Sequence, residues 1–233
     1  MSSFKPLNFE LHSELKVKPI TSFPGLETQQ IVPVAAHEFA TAGSEMPVVF
    51  VKNAETGAFQ AVALLGLNQK ENVFYQDEKW RGHYIPSILT HQPFALMPSV
   101  SDETQLQLLI NEESPLVNKT EGEGLFDDVG NESEYLTQRK NALGRYFENA
   151  QVTTAFVKML SDMGLLKEQQ LTLNFSGDKI LIEGVYLVDE KALAQLSDED
   201  YLTLREKGFI ALIYHHLGSL HQLKNVARLK ASN

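Results

Sequence analysis

A strand, a turn and a second strand follow one another in residues 48–65, VVFVKNAETGAFQAVALL. Asn53 to Gly57 supplies turn residues between two apolar runs that are rich in valine and alanine. Runs of this kind separated by a short, glycine-containing turn predict an antiparallel hairpin. After a break at Gly66, residues 72–75 predict a third short strand. The stretch therefore predicts a β-rich core for the first half of the chain.

The segments that flank this hairpin carry prolines at informative places. Residues 1–35 are extended in character, and their prolines favour an edge position because proline cannot donate a ladder hydrogen bond. Residues 35–42 predict a short helix that ends at Gly43. Pro86 suits the first turn of a helix and Pro93 must end it, so one or two helical turns are expected between them.

The rest of the chain alternates between strand and helix patterns. Strands are predicted at residues 94–97 and 105–110, and helices are predicted at residues 134–166, from Ser197, and at 209–229. Residues 171–175 and 179–183 flank Ser176-Gly177-Asp178, which predicts a hairpin with a three-residue loop.

These patterns predict an α+β protein. The N-terminal part, residues 1–111, is antiparallel and hairpin-rich, and the C-terminal part, residues 134–233, is arranged helix, hairpin, helix, helix. Between them, residues 112–133 have the glycine-rich and acidic composition of a connector. We expect the two parts to pack into one compact unit.

The overall composition excludes several classes of function. The 233 residues contain 20 Lys and Arg against 30 Asp and Glu, a formal net charge of −10, which disfavours nucleic acid as a partner. The chain has no cysteine, so a disulfide, a thiolate metal site and a thiol nucleophile are excluded. No apolar run is long enough for a membrane span and the N-terminus lacks a signal-peptide pattern, so we expect a cytoplasmic protein.

The C-terminal helix contains three of the seven histidines, His215, His216 and His221. Their spacings of one, five and six do not place two rings on one helix face, as chelation requires. His216 lies on the apolar stripe of the helix and is expected to be a core histidine with a satisfied ring. His215 and Ser219, four residues apart, have the spacing for a hydrogen bond, so His215, Ser219 and His221 are weak site candidates.

The strongest site candidates surround the only tryptophan. An aromatic surface, a cation and polar side-chain ends suit a ligand or partner surface. The residues that offer them are Trp80, Arg81, His83 and Tyr84, and His91 is included as a further candidate for this surface. The alternative is that Trp80 and Tyr84 are core aromatics that plug the hairpin. Eight residues along a helix span about 12 Å, which is too far for His83 and His91 to share one metal ion.

Motifs for common catalytic sites are absent from the sequence. No glycine-rich nucleotide loop, nucleophile elbow or zinc-protease helix occurs, and the acidic run at residues 121–134 lacks calcium-loop spacing. We therefore predict no catalytic residue, no metal and no cofactor.

The charge of the C-terminal segment differs from that of the rest of the chain, because residues 207–233 contain no Asp or Glu. This composition suggests either cations that complement the dipole at a helix C-terminus or a tail that docks on a partner.

Several segments resemble the SapC family of bacterial proteins across nearly the whole chain. The segments that carry the resemblance are Pro47-Val48-Val49-Phe50, Ala63-Leu64-Leu65-Gly66-Leu67, Trp80 with Tyr84-Ile85-Pro86, Gly184-Val185-Tyr186-Leu187-Val188-Asp189-Glu190 and Ile213-Tyr214-His215-His216-Leu217-Gly218-Ser219-Leu220. The resemblance implies a cytoplasmic accessory role near TonB-dependent receptors and flavin-dependent halogenase-like proteins. It supplies no catalytic residues.

The leading hypothesis is a non-enzymatic accessory or binding protein linked to TonB-dependent uptake of carbohydrate or peptide. Its partner would be a small molecule or a protein, including a flavin-dependent halogenase-like neighbour, and the surface from Trp80 to Phe94 would recognise it. Two alternatives stay open: a metal-assisted or flavoprotein-coupled enzyme that uses its histidines, and a surface-layer-associated protein.

Overall fold

The hairpin predicted for residues 48–65 forms and lies inside the largest sheet. The computed structural model describes residues 4–99, 105–175 and 178–232. Its strands are β1 (Phe4–Pro6), β2 (Lys16–Val17), β3 (Ile31–Pro33), β4 (Val48–Lys52), β5 (Phe59–Leu64), β6 (Tyr75–Gln76), β7 (Lys79–Trp80), β8 (Phe94–Pro98), β9 (Leu106–Asn111), β10 (Val117–Asn118), β11 (Glu123–Gly124), β12 (Leu166–Phe175) and β13 (Asp178–Val188). Its helices are α1 (Phe9–His12), α2 (Phe39–Ala42), α3 (Ser87–Thr90), α4 (Glu134–Asp162), α5 (Glu190–Leu193), α6 (Asp198–Glu206), α7 (Phe209–Ser219) and α8 (Leu223–Ala231). Open antiparallel sheets with helices confirm the predicted α+β class.

The residues pack into two units that interleave along the chain. Unit 1 comprises Met1–Thr21 and Ser87–Glu148, and unit 2 comprises Ser22–Pro86 and Asn149–Asn233. Helix α4 therefore contributes its first half to unit 1 and its second half to unit 2. These units describe which residues pack together. The predicted division into parts 1–111, 112–133 and 134–233 that form one compact unit stays a prediction.

Unit 1 contains two small sheets and an apolar core. The strand orders are β1-β9-β8 and β10-β2-β11, all antiparallel. The buried core residues are Val17, Phe94, Ile110, Leu125, Leu136 and Leu143. The segment expected as a connector thus provides β10, β11 and the fully buried Leu125 to this unit.

Unit 2 is built on a sheet with the order β12-β13-β4-β5-β3. Asn53 organises the β4–β5 turn, since its side-chain oxygen accepts the N–H groups of Glu55 and Thr56. Pro33 lies on the edge strand β3, as its missing N–H predicts. The second hairpin, β12–β13, is also confirmed, while its loop residues Ser176 and Gly177 lie outside the described residues.

Three local predictions were wrong. Asp178, predicted as the third residue of a hairpin loop, is the first residue of strand β13 and pairs with Phe175. The strand predicted at residues 72–75 is displaced to β6, because Asn72 uses its side chain to bond the Leu26 carbonyl and the Phe74 N–H, at 2.9 Å each. The single helix predicted at 209–229 is interrupted by a 3-10 turn at Leu220–Gln222. The interruption follows Ser219, whose hydroxyl bonds the backbone of strand β4.

Candidate functional site

Trp80 is half-buried and lies on strand β7 of a tight hairpin. The two residues that turn this hairpin, Asp77 and Glu78, have φ values of 49° and 59°, the left-handed conformation that a two-residue turn requires. The indole stacks on Phe74 with a centroid distance of 5.7 Å, and its Nε1–H donates to the Tyr84 carbonyl at 2.8 Å. The indole is thus fixed in position, with its polar atom already bonded.

The Arg81 guanidinium caps the C-terminal helix. Its Nη1 donates to the Leu229 carbonyl at 3.3 Å, and its Nη2 donates to the Ser232 hydroxyl at 2.7 Å. A further bond runs from Nη1 to the Gln76 side chain at 3.1 Å. A cation at the end of α8 stabilises the helix through its macrodipole and its unpaired carbonyl groups. Arg81 therefore joins the β6–β7 hairpin to the last helix.

The His83 imidazole is almost fully exposed and lies beside a carboxylate. Its side chain is 99% exposed, and its Nδ1 is 3.2 Å from Glu45 Oε1. The Glu45 side chain is only 15% exposed and also accepts the His83 backbone N–H at 2.8 and 3.0 Å. A Cβ at Gly82 would lie 2.5 Å from Glu45 Oε2, so this close approach depends on glycine. Glu45 thereby fixes the backbone of His83, and its carboxylate lies beside the exposed ring.

Tyr84 reaches a buried carboxylate. Its hydroxyl donates to Glu38 Oε1 at 2.5 Å, and Glu38 Oε2 accepts the Ala35 N–H at 2.9 Å. Glu38 is 2% exposed, so these bonds replace the water that its carboxylate has lost. Sequence reasoning did not select Glu38 or Glu45 as site residues. A signal existed for Glu38, which stands three residues after Ala35 at a helix start, where a Glu reaches back to the cap backbone.

The structure brings Trp80, Arg81, His83 and Tyr84 together in unit 2. His91 belongs to unit 1, where it is buried and its ring contacts Tyr146 at a centroid distance of 5.0 Å. We call residues 80–84 the indole platform. The platform presents one exposed imidazole and a half-buried indole, while its other side chains are hydrogen-bonded within unit 2.

His216 is a core histidine, as predicted. Its Nδ1–H donates to the Val48 carbonyl at 2.7 Å, and its Nε2 accepts the Val188 N–H at 3.1 Å. The residue is 0% exposed, and burial lowers its pKa from the ordinary 6.5 to about 4, against the opposing effect of the bond to Val48. The neutral ring therefore connects α7 to strands β4 and β13.

The neighbouring candidates have different surroundings. Ser219 is buried, and its hydroxyl accepts the Val48 N–H at 2.9 Å and donates to the His216 carbonyl at 2.6 Å. His215 and His221 are exposed. Within residues 4–99, 105–175 and 178–232, no three His, Asp or Glu side chains lie where they could hold one metal ion.

Helix α8 in the acid-free tail is packed into unit 2. Val226 and Ala227 are fully buried, and Lys230 Nζ lies 2.5 Å from Glu71 Oε1. The pKa of Glu71 is lowered because the bonds to Lys230 and to the Leu67 and Asn68 N–H groups outweigh burial. This packing favours the helix-dipole interpretation of the tail, and the partner-docking interpretation stays a prediction.

Comparison with known proteins gives a family but no individual relative. Neither curated proteins nor solved structures include a significant match. In the part of the chain that the structure describes, no helix combines the length and apolar composition needed to cross a membrane. The SapC family model matches residues 7–226 of the 233, and the chain therefore belongs to the SapC family.

Proposed function

We propose that this protein is a cytoplasmic, non-catalytic binding protein that assists nutrient uptake through TonB-dependent receptors. The uptake setting comes from what SapC resemblance implies. The binding role rests on one observation, which is that the indole platform holds an exposed imidazole on a framework of internal bonds. Its partner surface comprises His83 and the accessible part of Trp80.

Preorganisation is the physical reason that this geometry suits binding. A flexible surface loses conformational entropy when a partner immobilises it, and a fixed surface avoids much of this loss. Glu45 fixes the His83 backbone through its N–H, while Phe74 and the Tyr84 carbonyl fix the indole. Tryptophan is also enriched among the residues that contribute most to protein interfaces.

A protein partner fits this surface better than an enclosed small molecule, because the His83 side chain extends into solvent. The partner class that we propose is a flavin-dependent halogenase-like protein of the same bacterium, as SapC resemblance implies. An exposed imidazole can donate a hydrogen bond to a carboxylate or a carbonyl group across an interface.

The test is isothermal titration of the halogenase-like protein, and of oligosaccharides and peptides, into the wild type and two variants. His83→Ala removes the exposed ring without altering the indole stack, and we expect it to weaken binding at least about fivefold. His221→Ala removes another exposed imidazole outside the platform and should leave the affinity unchanged. Equal affinity of His83→Ala and the wild type would refute the proposed surface.

A further inference from the structure

Strand β12 forms an open edge of the largest sheet. It is ten residues long and pairs with β13 on one side, while none of the described strands pairs with its other side. The opposite edge of the sheet is β3, which has three residues and contains Pro33. Short length and proline protect an edge strand from pairing with another chain, because few backbone groups are then available. Strand β12 has neither protection.

The hairpin of β12 and β13 extends beyond the rest of the sheet. Strand β13 pairs with β4 at Val185 and Tyr186, whereas its pairing with β12 continues to Phe175 and Asp178. One face of the extension is covered, since Ile182 is buried. The other apolar residues of this face are half-buried, namely Leu171, Leu173 and Ile180. A two-stranded hairpin is marginally stable in water, and a third strand stabilises it.

The turn of this hairpin determines which residues of β12 face the open edge. Phe175 and Asp178 close a two-residue loop, so their backbones bond each other, and the same holds at every second position along the ladder. Thr172 and Asn174 therefore direct their N–H and C=O groups outward. Helix α8 packs against part of β12, yet residues 167–170, Thr172 and Asn174 are exposed.

We propose that β12 pairs with β12 of a second copy of this chain, in antiparallel orientation about a two-fold axis at Leu171. This register uses residues 167–175 of each copy and forms about eight backbone hydrogen bonds, which join the two large sheets into one. Two chains of net charge −10 repel each other, but residues 169–175 carry no charge, so the contact avoids this repulsion. The dimer does not depend on the function proposed above.

The same register brings opposite charges near each other. Glu168 lies opposite Asn174 of the second copy, and Asn174 pairs across its own hairpin with Lys179. Directly opposite residues share a face of the sheet, so the three side chains form one row with a carboxylate and an ammonium group at its ends. The two-fold axis repeats this row. No like charges oppose each other, which favours a copy of this chain as the partner strand.

Sedimentation velocity tests this dimer. The wild type should be dimeric at about 100 µM and should dissociate on dilution. Thr172→Pro removes an outward N–H, and Thr172→Lys places a cation beside the two-fold axis. Each should weaken dimerisation at least about tenfold. Gln60→Lys is the matched control, because it adds the same charge to an exposed residue of the inner strand β5, and its dimerisation should equal that of the wild type.

Hydrogen exchange of the wild type provides a second readout that needs no variant. The amides of Thr172 and Asn174 should exchange more slowly in concentrated than in dilute solution, because pairing protects them. Circular dichroism verifies folding, and if Thr172→Pro does not fold, Thr172→Lys and hydrogen exchange decide. A monomeric wild type at about 100 µM refutes self-pairing, even if a strand of another protein occupies the edge. Thr172→Lys that dimerises like Gln60→Lys, or a dimer without this protection, refutes it as well.

Discussion

His216 should make the stability of this protein fall as the pH is lowered below neutrality. The ring is buried and neutral, with its pKa lowered by burial to about 4, while in the unfolded chain its pKa is the ordinary 6.5. Between these values the unfolded state binds a proton that the folded state does not, so acid favours unfolding. This contribution is absent above pH 6.5 and grows as the pH falls toward 4.

The size of the effect follows from the difference between the two pKa values. Each pH unit below the unfolded pKa lowers the free energy of unfolding by about 1.4 kcal/mol. At about pH 4.5, roughly two units below 6.5, the loss from His216 is therefore about 2–3 kcal/mol. This is a large fraction of the stability of a typical domain, which is about 5–15 kcal/mol.

Urea unfolding of the wild type and His216→Gln at about pH 7.5 and pH 4.5 isolates this contribution. The amide of glutamine can bond the Val48 carbonyl and the Val188 N–H, yet it does not titrate. Carboxylates with lowered pKa values, such as Glu71, destabilise both proteins equally on acidification. The wild type should therefore lose about 2–3 kcal/mol more than the variant. Parallel losses would refute a neutral, buried His216.

Two further predictions concern close packing and the last helix. Gly66→Ala should destabilise unit 2 by about 2–4 kcal/mol, because the added Cβ would lie 2.1 Å from the Glu71 carbonyl oxygen. Gly144→Ala should stabilise the protein by about 0.5–1 kcal/mol, because Gly144 lies within helix α4 and has open space around it. Thermal unfolding measures both, and equal shifts would contradict this difference in packing between the two glycines. Truncation after Leu223 removes the buried Val226, so it should substantially lower the urea concentration at the midpoint of unfolding. A truncated chain that keeps this midpoint but loses a partner would favour the docking-tail interpretation.

The elements that were predicted correctly depend on signals within a few residues. The β4–β5 hairpin is specified by a turn whose Asn53 bonds residues two and three positions later. Helix α6 begins at Ser197, whose hydroxyl accepts the Asp200 N–H, a cap that can be identified from sequence. Such bonds are local, so residue type and spacing are sufficient to predict them.

The errors occurred where a distant partner competes with a local pattern. Asn72 to Tyr75 has strand composition, but the carbonyl group that binds Asn72 belongs to Leu26, 46 residues earlier. The 3-10 turn after helix α7 follows a serine that bonds Val48, 171 residues away. Periodicity over a short window contains no information on partners at such separations.

The same distinction applies to the candidate site, where the sequence shows the residue types but not their distant bonding partners. An arginine next to the only tryptophan suggests recognition, yet the guanidinium of Arg81 bonds a helix end 148 residues later in the chain. Its donors bond oxygen atoms within unit 2, namely the Leu229 carbonyl, the Gln76 amide and the Ser232 hydroxyl, so Arg81 contributes to the stability of this unit. The exposed His83 is the platform residue whose ring extends into solvent, while Glu45 bonds its backbone N–H. Recognition at this platform should therefore depend more on His83 than on Arg81, while loss of Arg81 should reduce stability first.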